Sequence, residues 1–275
     1  GSLNISEGPL IQVVWFEMGK NVPDCLLIVV HHLVIDGVSW RILLEDLQTA
    51  YRQAVENRPI QLPPKTTSFR QWTERLRRYA EAEVMKDPSF NVWLTEQEEG
   101  SVLLPVDDPG GSHREAAAET LTMSLDEGDT QALLHQVSAA YGTQINDVLL
   151  TALAQTLGRW TGLDRVTIDL EGHGREDLFP ELDVSRTVGW FTSVFPVTLD
   201  VIKSESPGEG LKTVKEQLRR IPGRGIGYGI VRYLTKHGFD AAKVSPARRV
   251  PVAFNYLGQL DAVATDESAF VLSTE

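Results

Sequence analysis

Apolar positions at the start of the chain come in short runs. Residues 10–17 and the run Cys25-Leu26-Leu27-Ile28-Val29-Val30 read as strands, and the second, uninterrupted by polar residues, predicts a fully buried strand that ends at His31-His32. From Ser39 to Glu56 the pattern changes period. Trp40, Leu43, Leu44, Leu47, Tyr51, Ala54 and Val55 recur in steps of three and four, which predicts a helix with one buried stripe. Pro59, Pro63 and Pro64 mark residues 57–67 as a connector. Ser68 is the expected N-cap of a second helix with the stripe Phe69, Trp72, Leu76 and Tyr79.

A second loose segment spans 97–118, and with the first it provides the candidate lobe boundaries. Beyond it lies one helical stripe (Leu133, Leu134, Val137, Ala140, Tyr141) that stops at Gly142, and then another (Ile145, Val148, Leu149, Ala152, Leu153, Trp160). Residues 166–170 predict a strand that delivers Glu171-Gly172-His173-Gly174-Arg175-Glu176. A strand at 191–199, a helix at 210–220, a glycine-rich turn at 222–229 and an apolar strand at 250–256 complete the pattern. No repeat or low-complexity tract interrupts it. Strands interleaved with helices make this an α/β chain.

Composition narrows the function. The chain has 275 residues, 42% of them hydrophobic, enough for one large domain or two lobes. Its formal net charge of -12 argues against a nucleic-acid partner, whose phosphates need a basic footprint. A single cysteine, Cys25, offers neither an internal disulfide nor a zinc cluster and points to a reducing, cytoplasmic setting, with the thiol acting as a small apolar side chain. No apolar run reaches the roughly 18–20 residues that cross a bilayer, so no membrane association is expected.

Four segments have residues suited to chemistry. His31 and His32 close a strand, and since neighbours on an extended chain point to opposite sides, one imidazole faces a cleft and the other is structural. Asp36 orients a ring or holds the loop, and a pair of satisfied structural histidines is the rival reading. Glu171 stands at a strand end between flexible glycines, where burial would suit its carboxyl to acid–base work. The competing reading of this hexapeptide is a polar turn held by Arg175 pairing with a carboxylate. Gly225-Ile226-Gly227-Tyr228-Gly229 matches no phosphate-binding fingerprint and reads as a tight loop beside a substrate channel. Asn255 and Tyr256, at a strand end, suit contact with a carbonyl or a pantetheine amide, and a packing tyrosine with a hydrogen-bonded hydroxyl is the rival reading. A basic cluster (Lys212, Lys215, Arg219, Arg220, Arg224) is either a solvated helix face or a surface that meets an acidic carrier.

Taken in order, these segments resemble the motif series of epimerization domains of nonribosomal peptide synthetases, members of the condensation-domain superfamily. The resemblance lies in His31 to Trp40 with its continuation Val38-Ser39-Trp40-Arg41, in Asn146-Asp147-Val148-Leu149-Leu150, and in Glu171 to Glu176. It continues in Arg186-Thr187-Val188-Gly189-Trp190-Phe191-Thr192, Gly225 to Gly229, and Asn255-Tyr256-Leu257-Gly258-Gln259. It implies a two-lobe, chloramphenicol-acetyltransferase-like α/β fold. The family's opening motif is missing, so residues 1–85 are expected to be the end of the N-terminal lobe with the histidine motif and connector, and residues 86–275 most of the C-terminal lobe.

The implied activity is inversion of the α-carbon of an aminoacyl or peptidyl thioester on the 4'-phosphopantetheine arm of a carrier protein, without an intrinsic cofactor or metal. The implied partners are an upstream peptidyl carrier protein and neighbouring synthetase domains. His32 and Glu171 are implied as the acid–base pair, with His31, Asp36, Ser39, His173, Arg175, Asn255 and Tyr256 in support. A peptide-bond-forming condensation domain and a truncated, non-catalytic carrier-binding fragment are the alternatives.

Overall fold

The computed structural model describes residues 3–20, 22–88, 93, 104–108, 110–111, 114–201, 206–235 and 250–258. It divides into two compact units, one drawing on Gly1–Tyr79, His173–Ser193 and Leu257–Glu275 and the other on Ala80–Gly172 and Val194–Tyr256. Both units are discontinuous in sequence. The contiguous division expected at 85/86 and this one share residues 3–79, and they part company where His173–Ser193 returns to the first unit.

In the first unit, β1 (Ile11–Phe16) and β2 (Cys25–Val30) form an antiparallel ladder running from Ile11 opposite Val30 to Phe16 opposite Cys25. No third strand joins it among the described residues. Leu27 and Val29 are therefore 45% and 39% exposed, and β2 is not the fully buried strand that its apolar run predicts. Helix α1 (Gly37–Val55) starts two residues before the expected Ser39, because the Asp36 side chain caps it by accepting from the Ser39 N–H. Its buried positions are Ser39 and Ile42, while Tyr51 and Val55 of the expected stripe are exposed.

Helix α2 (Phe69–Ala82) follows the sequence closely. Ser68 Oγ accepts from the Gln71 N–H while Gln71 Oε1 accepts from the Ser68 N–H, a reciprocal cap. The α2 stripe enters an aromatic cluster. Trp72 meets Phe179 and Phe191 at 5.3 and 5.9 Å between ring centroids, and Tyr79 meets Phe179 at 5.5 Å.

The second unit is built on a three-stranded sheet of order β4-β3-β5. Its strands are β3 (Arg165–Gly172), β4 (Ser193–Asp200) and β5 (Ala253–Phe254). β5 runs parallel to β3, with Asp169 opposite Ala253, and is much shorter than the expected 250–256. The side-chain pairs Arg165–Asp200 and Thr167–Thr198 show that β3 and β4 run in opposite directions.

One face of β3 is core, with Val166 and Ile168 at 0% exposure. Helix α3 opens at Glu127–Gln131, widens over Ala132–Val137 and closes at Ser138–Tyr141, where Gly142 stops it in the left-handed region. Helix α4 (Ile145–Thr161) packs on β3 and on α5 (Pro207–Arg219), burying Leu150, Ala154, Leu157, Leu211 and Val214. Burial of each large aliphatic side chain contributes about 1.5–3 kcal/mol.

The expected glycine-rich turn at 222–229 is only half a turn. Pro222–Gly225 is a tight turn in which Gly223, Arg224 and Gly225 all take positive φ, and α6 begins at Ile226–Gly229 and continues through Ile230–Leu234. Gly225 makes this junction possible. Its φ is +87°, and a Cβ there would lie 2.2 Å from the Phe195 ring. Gly225→Ala is expected to destabilise the chain by about 2 kcal/mol or more. Gly229→Ala, where no atom lies within 4 Å of the added carbon, should be neutral or stabilising. Denaturant midpoints of the two variants check this.

Candidate active site

The histidine segment is organised by Asp36, which is 3% exposed. Beyond capping α1 with Oδ1, its carboxylate accepts two hydrogen bonds from Arg175 Nη2 at 3.0 and 3.1 Å, and Oδ2 accepts from the Phe191 N–H at 3.1 Å. Ser39 is completely buried beside it. Its Oγ accepts from Arg175 Nη2 and the Gly189 N–H and donates to the Gly189 carbonyl, so all of its hydrogen-bonding capacity is used.

Arg175 Nη1 donates to the Val184 and Thr187 carbonyls, and its guanidinium lies 4.0 Å from the centre of the Phe191 ring. One arginine thus ties the start of α1 to the whole of 184–191. Of the two sequence readings of the hexapeptide, the arginine–carboxylate pair is present, with Asp36 as the carboxylate. Gly174 lets this loop close. Its φ is +65°, and a Cβ there would fall 1.7 Å from the Phe191 carbonyl oxygen.

The two adjacent histidines have different roles in this frame. His31 is half-buried, donates its N–H to the Leu10 carbonyl and accepts the Leu33 N–H on Nδ1, so it caps the helical turn His32–Val34. His32 is exposed, and its ring centroid lies 5.6 Å from that of Trp190 at an interplanar angle of 56°. His173 is a turn residue: Nδ1 accepts the Arg175 N–H at 3.0 Å and Nε2 lies 3.3 Å from Glu176 Oε1.

Glu171 stands on the penultimate position of β3 in the second unit, half-buried, on the opposite face from Val166 and Ile168. Asn255 and Tyr256 follow β5, one and two residues past the Leu170–Phe254 pair, so Glu171 and Asn255 leave neighbouring parallel strands at the same level. Asn255 is exposed and Tyr256 half-buried.

Part of the basic cluster is structural. Lys215 Nζ and Arg219 Nη2 donate to the Tyr141 and Gly142 carbonyls, the electronegative end of α3. Cys25 is half-buried, and His135 is exposed on α3. His113, His237 and Gln259 lie outside the described residues. Among the described residues, no helix is long and apolar enough to cross a membrane and no group of three or more His, Cys, Asp or Glu side chains is placed to hold a metal.

Burial raises the Asp36 carboxyl, but the hydrogen bonds from Ser39, the Phe191 amide and Arg175 outweigh it and hold the group below its ordinary value. A carboxyl depressed on folding stabilises the fold fully above its unfolded pKa, about 3.9, and loses that contribution as pH falls through the lower folded value. Unfolding free energy measured from pH 6 down to pH 2 should therefore fall more steeply for the parent chain than for Asp36→Asn. Equal slopes would contradict the assignment.

The family model for the Condensation domain covers residues 1–274. The chain is 48% identical over its whole length to part of a linear gramicidin synthase polypeptide of Brevibacillus parabrevis, of which it spans 4%. It is 42% identical to gramicidin S synthase 1 of Brevibacillus brevis, covering 94% of this chain and 23% of that protein. Among solved structures, the epimerization domain from the third module of tyrocidine synthetase B superposes with a TM-score of 0.82 at 42% identity, over 93% of this chain and 56% of that one. The X-domain from teicoplanin biosynthesis shares the fold at a TM-score of 0.64 and 20% identity, over 86% of this chain and 53% of that one. The α/β architecture is thus the one shared by condensation and epimerization domains.

Proposed function

Because the chain belongs to the Condensation domain family, we propose that it is part of a nonribosomal peptide synthetase epimerization domain that inverts the α-carbon of an aminoacyl or peptidyl thioester on a carrier protein. The observation that carries this reading is the 0.82 superposition on an epimerization domain at 42% identity, against 19–22% identity for seven other solved structures that share the fold. The sequence around the histidines and the hexapeptide supports it.

The reaction needs one group to take the α-proton and another to return a proton to the opposite face. As the α-C–H bond breaks, its electron pair passes into the thioester carbonyl to give an enolate. A new C–H bond then forms on the other side, and solvent exchange restores both groups to their starting protonation states. His32 and Glu171 are assigned these two transfers. His31 is structural through Nδ1, and Asp36, Ser39 and Arg175 hold the turn that follows His32. His173 holds the turn that follows Glu171. The reading requires no cofactor beyond the 4'-phosphopantetheine arm on which the substrate arrives, and its partners are the carrier protein and neighbouring synthetase domains.

In a complete module, His32→Ala and Glu171→Gln should each slow conversion of an L-aminoacyl carrier protein to the L/D mixture by about 10²–10⁴-fold, with the melting temperature unchanged. Chiral analysis of the released amino acid is the check. Near-normal conversion by either variant refutes the pair, and amide product from two loaded carrier proteins would favour peptide-bond formation.

A further inference from the structure

Residues 187–191 alternate between two environments. Thr187, Gly189 and Phe191 are buried, and Val188 and Trp190 between them are exposed. Each inward residue is fastened. Thr187 Oγ1 donates to the Thr67 carbonyl, and Gly189 uses both its N–H and its carbonyl on Ser39 Oγ. The Phe191 ring meets Phe69 edge-on at 5.1 Å between centroids. A Cβ on Gly189 would lie 2.4 Å from the Phe69 ring, so the segment lies hard against α2. Trp190 is therefore presented from a backbone that cannot slide.

What it presents is an indole beside His32, with ring centroids 5.6 Å apart and planes tilted by 56°. The same buried carboxylate sets both sides of this contact. Asp36 Oδ1 caps α1 four residues after His32, and Asp36 Oδ2 holds the Phe191 N–H, next to Trp190. Between His32 and Asp36 stands only the short turn His32–Val34, pinned at its start by His31 Nδ1 and followed by the buried Ile35. The backbone beneath both rings thus answers to one group.

The His32 ring itself has no polar anchor. It is exposed and makes no side-chain hydrogen bond among the described residues. An acid–base imidazole is usually oriented by a hydrogen bond to its second nitrogen. Without one, an exposed ring is free to change rotamer, and a proton transfer needs one of those orientations. Here a ring contact takes the place of the hydrogen bond. Aromatic pairs at this separation have preferred mutual orientations, and the face of an indole accepts a cation as well as a neutral ring edge. The contact therefore persists whether or not the imidazole holds the extra proton.

Resting on the epimerization reading, we infer that Trp190 is the positioning residue of the His32 imidazole, holding it in the orientation from which it exchanges a proton with the α-carbon. The proton passes between the α-carbon and a ring nitrogen of His32, and the C–H electron pair passes into the thioester carbonyl and back. Trp190 exchanges nothing and acts through His32 alone. Asp36 sets the register between the two rings by holding the backbone of both.

The test is single-turnover solvent-deuterium incorporation at the α-carbon of an L-aminoacyl carrier protein, using the complete module. Trp190→Leu should slow wash-in by about 10–10²-fold, the effect of a misplaced reacting group. Carrier-protein affinity and melting temperature should remain at parental values. Trp190→Phe, which keeps an aromatic face, should stay within about threefold of the parent. Added to His32→Ala, Trp190→Leu should slow exchange no further than about twofold, because its effect runs through the missing ring. If Trp190→Leu slows the parent by less than about fivefold, the assignment is overturned while the epimerization reading stands. A Trp190→Phe module as slow as Trp190→Leu overturns it, as does a Trp190→Leu effect of full size in the His32→Ala background. Slow exchange with an equal loss of carrier binding would make Trp190 a docking residue and overturn it too. A parent module that exchanges no deuterium, or a His32→Ala module that exchanges at the parental rate, overturns the underlying mechanism and this inference with it.

Discussion

A buried ion pair organises the first unit. Arg175 and Asp36 are 139 residues apart in sequence and almost fully desolvated. Removing two charges from water is costly, and the cost is offset only if the remaining donors and acceptors are satisfied. Here nearly all of them are. The Asp36 carboxylate also accepts two backbone amides, Ser39 Oγ bridges the guanidinium to Gly189, and Arg175 Nη1 reaches two carbonyls. Only Arg175 Nε is left buried without a partner among the described residues. The first turn of α1 and the return segment at 184–191 are thereby held as one piece, with His32 just outside it and its ring tilted against that of Trp190.

This explains why two adjacent histidines differ. Leu33 occupies His31 Nδ1, while His32 makes no side-chain hydrogen bond among the described residues and lies against the Trp190 ring. A side chain at the rim of a rigid frame and free of internal obligations suits proton transfer. The second unit presents Glu171 by different means: the strand alternation that buries Val166 and Ile168 turns Thr167, Asp169 and Glu171 the other way.

Much of this was legible in the sequence wherever the signal was local. The Ser68 cap, the α2 stripe, the stop at Gly142 and β3 follow from spacing and capping chemistry. Tertiary context overrode the rest. β2 reads as buried because its residues are apolar, yet a two-stranded ladder leaves both of its faces in contact with water. Glycines at 223, 225, 227 and 229 read as a loop, yet only Gly223 and Gly225 take positive φ and the other two are helical. The basic cluster that starts on α5 reads as a solvated helix face or a carrier-binding surface, and nothing local shows that Lys215 and Arg219 cap α3. Arg175 was visible as half of a carboxylate pair, but nothing local named Asp36 as the other half.

The most direct measurement on the central claim is a double-mutant cycle on Asp36 and Arg175, read by denaturant unfolding of Asp36→Asn, Arg175→Met and the combined variant. Each single change strands a buried polar partner and should cost about 3–5 kcal/mol. The combined change should cost much less than their sum, giving a coupling above about 2 kcal/mol. Additivity within about 0.5 kcal/mol would mean that the pair does not hold the histidine segment in place, and would contradict the account.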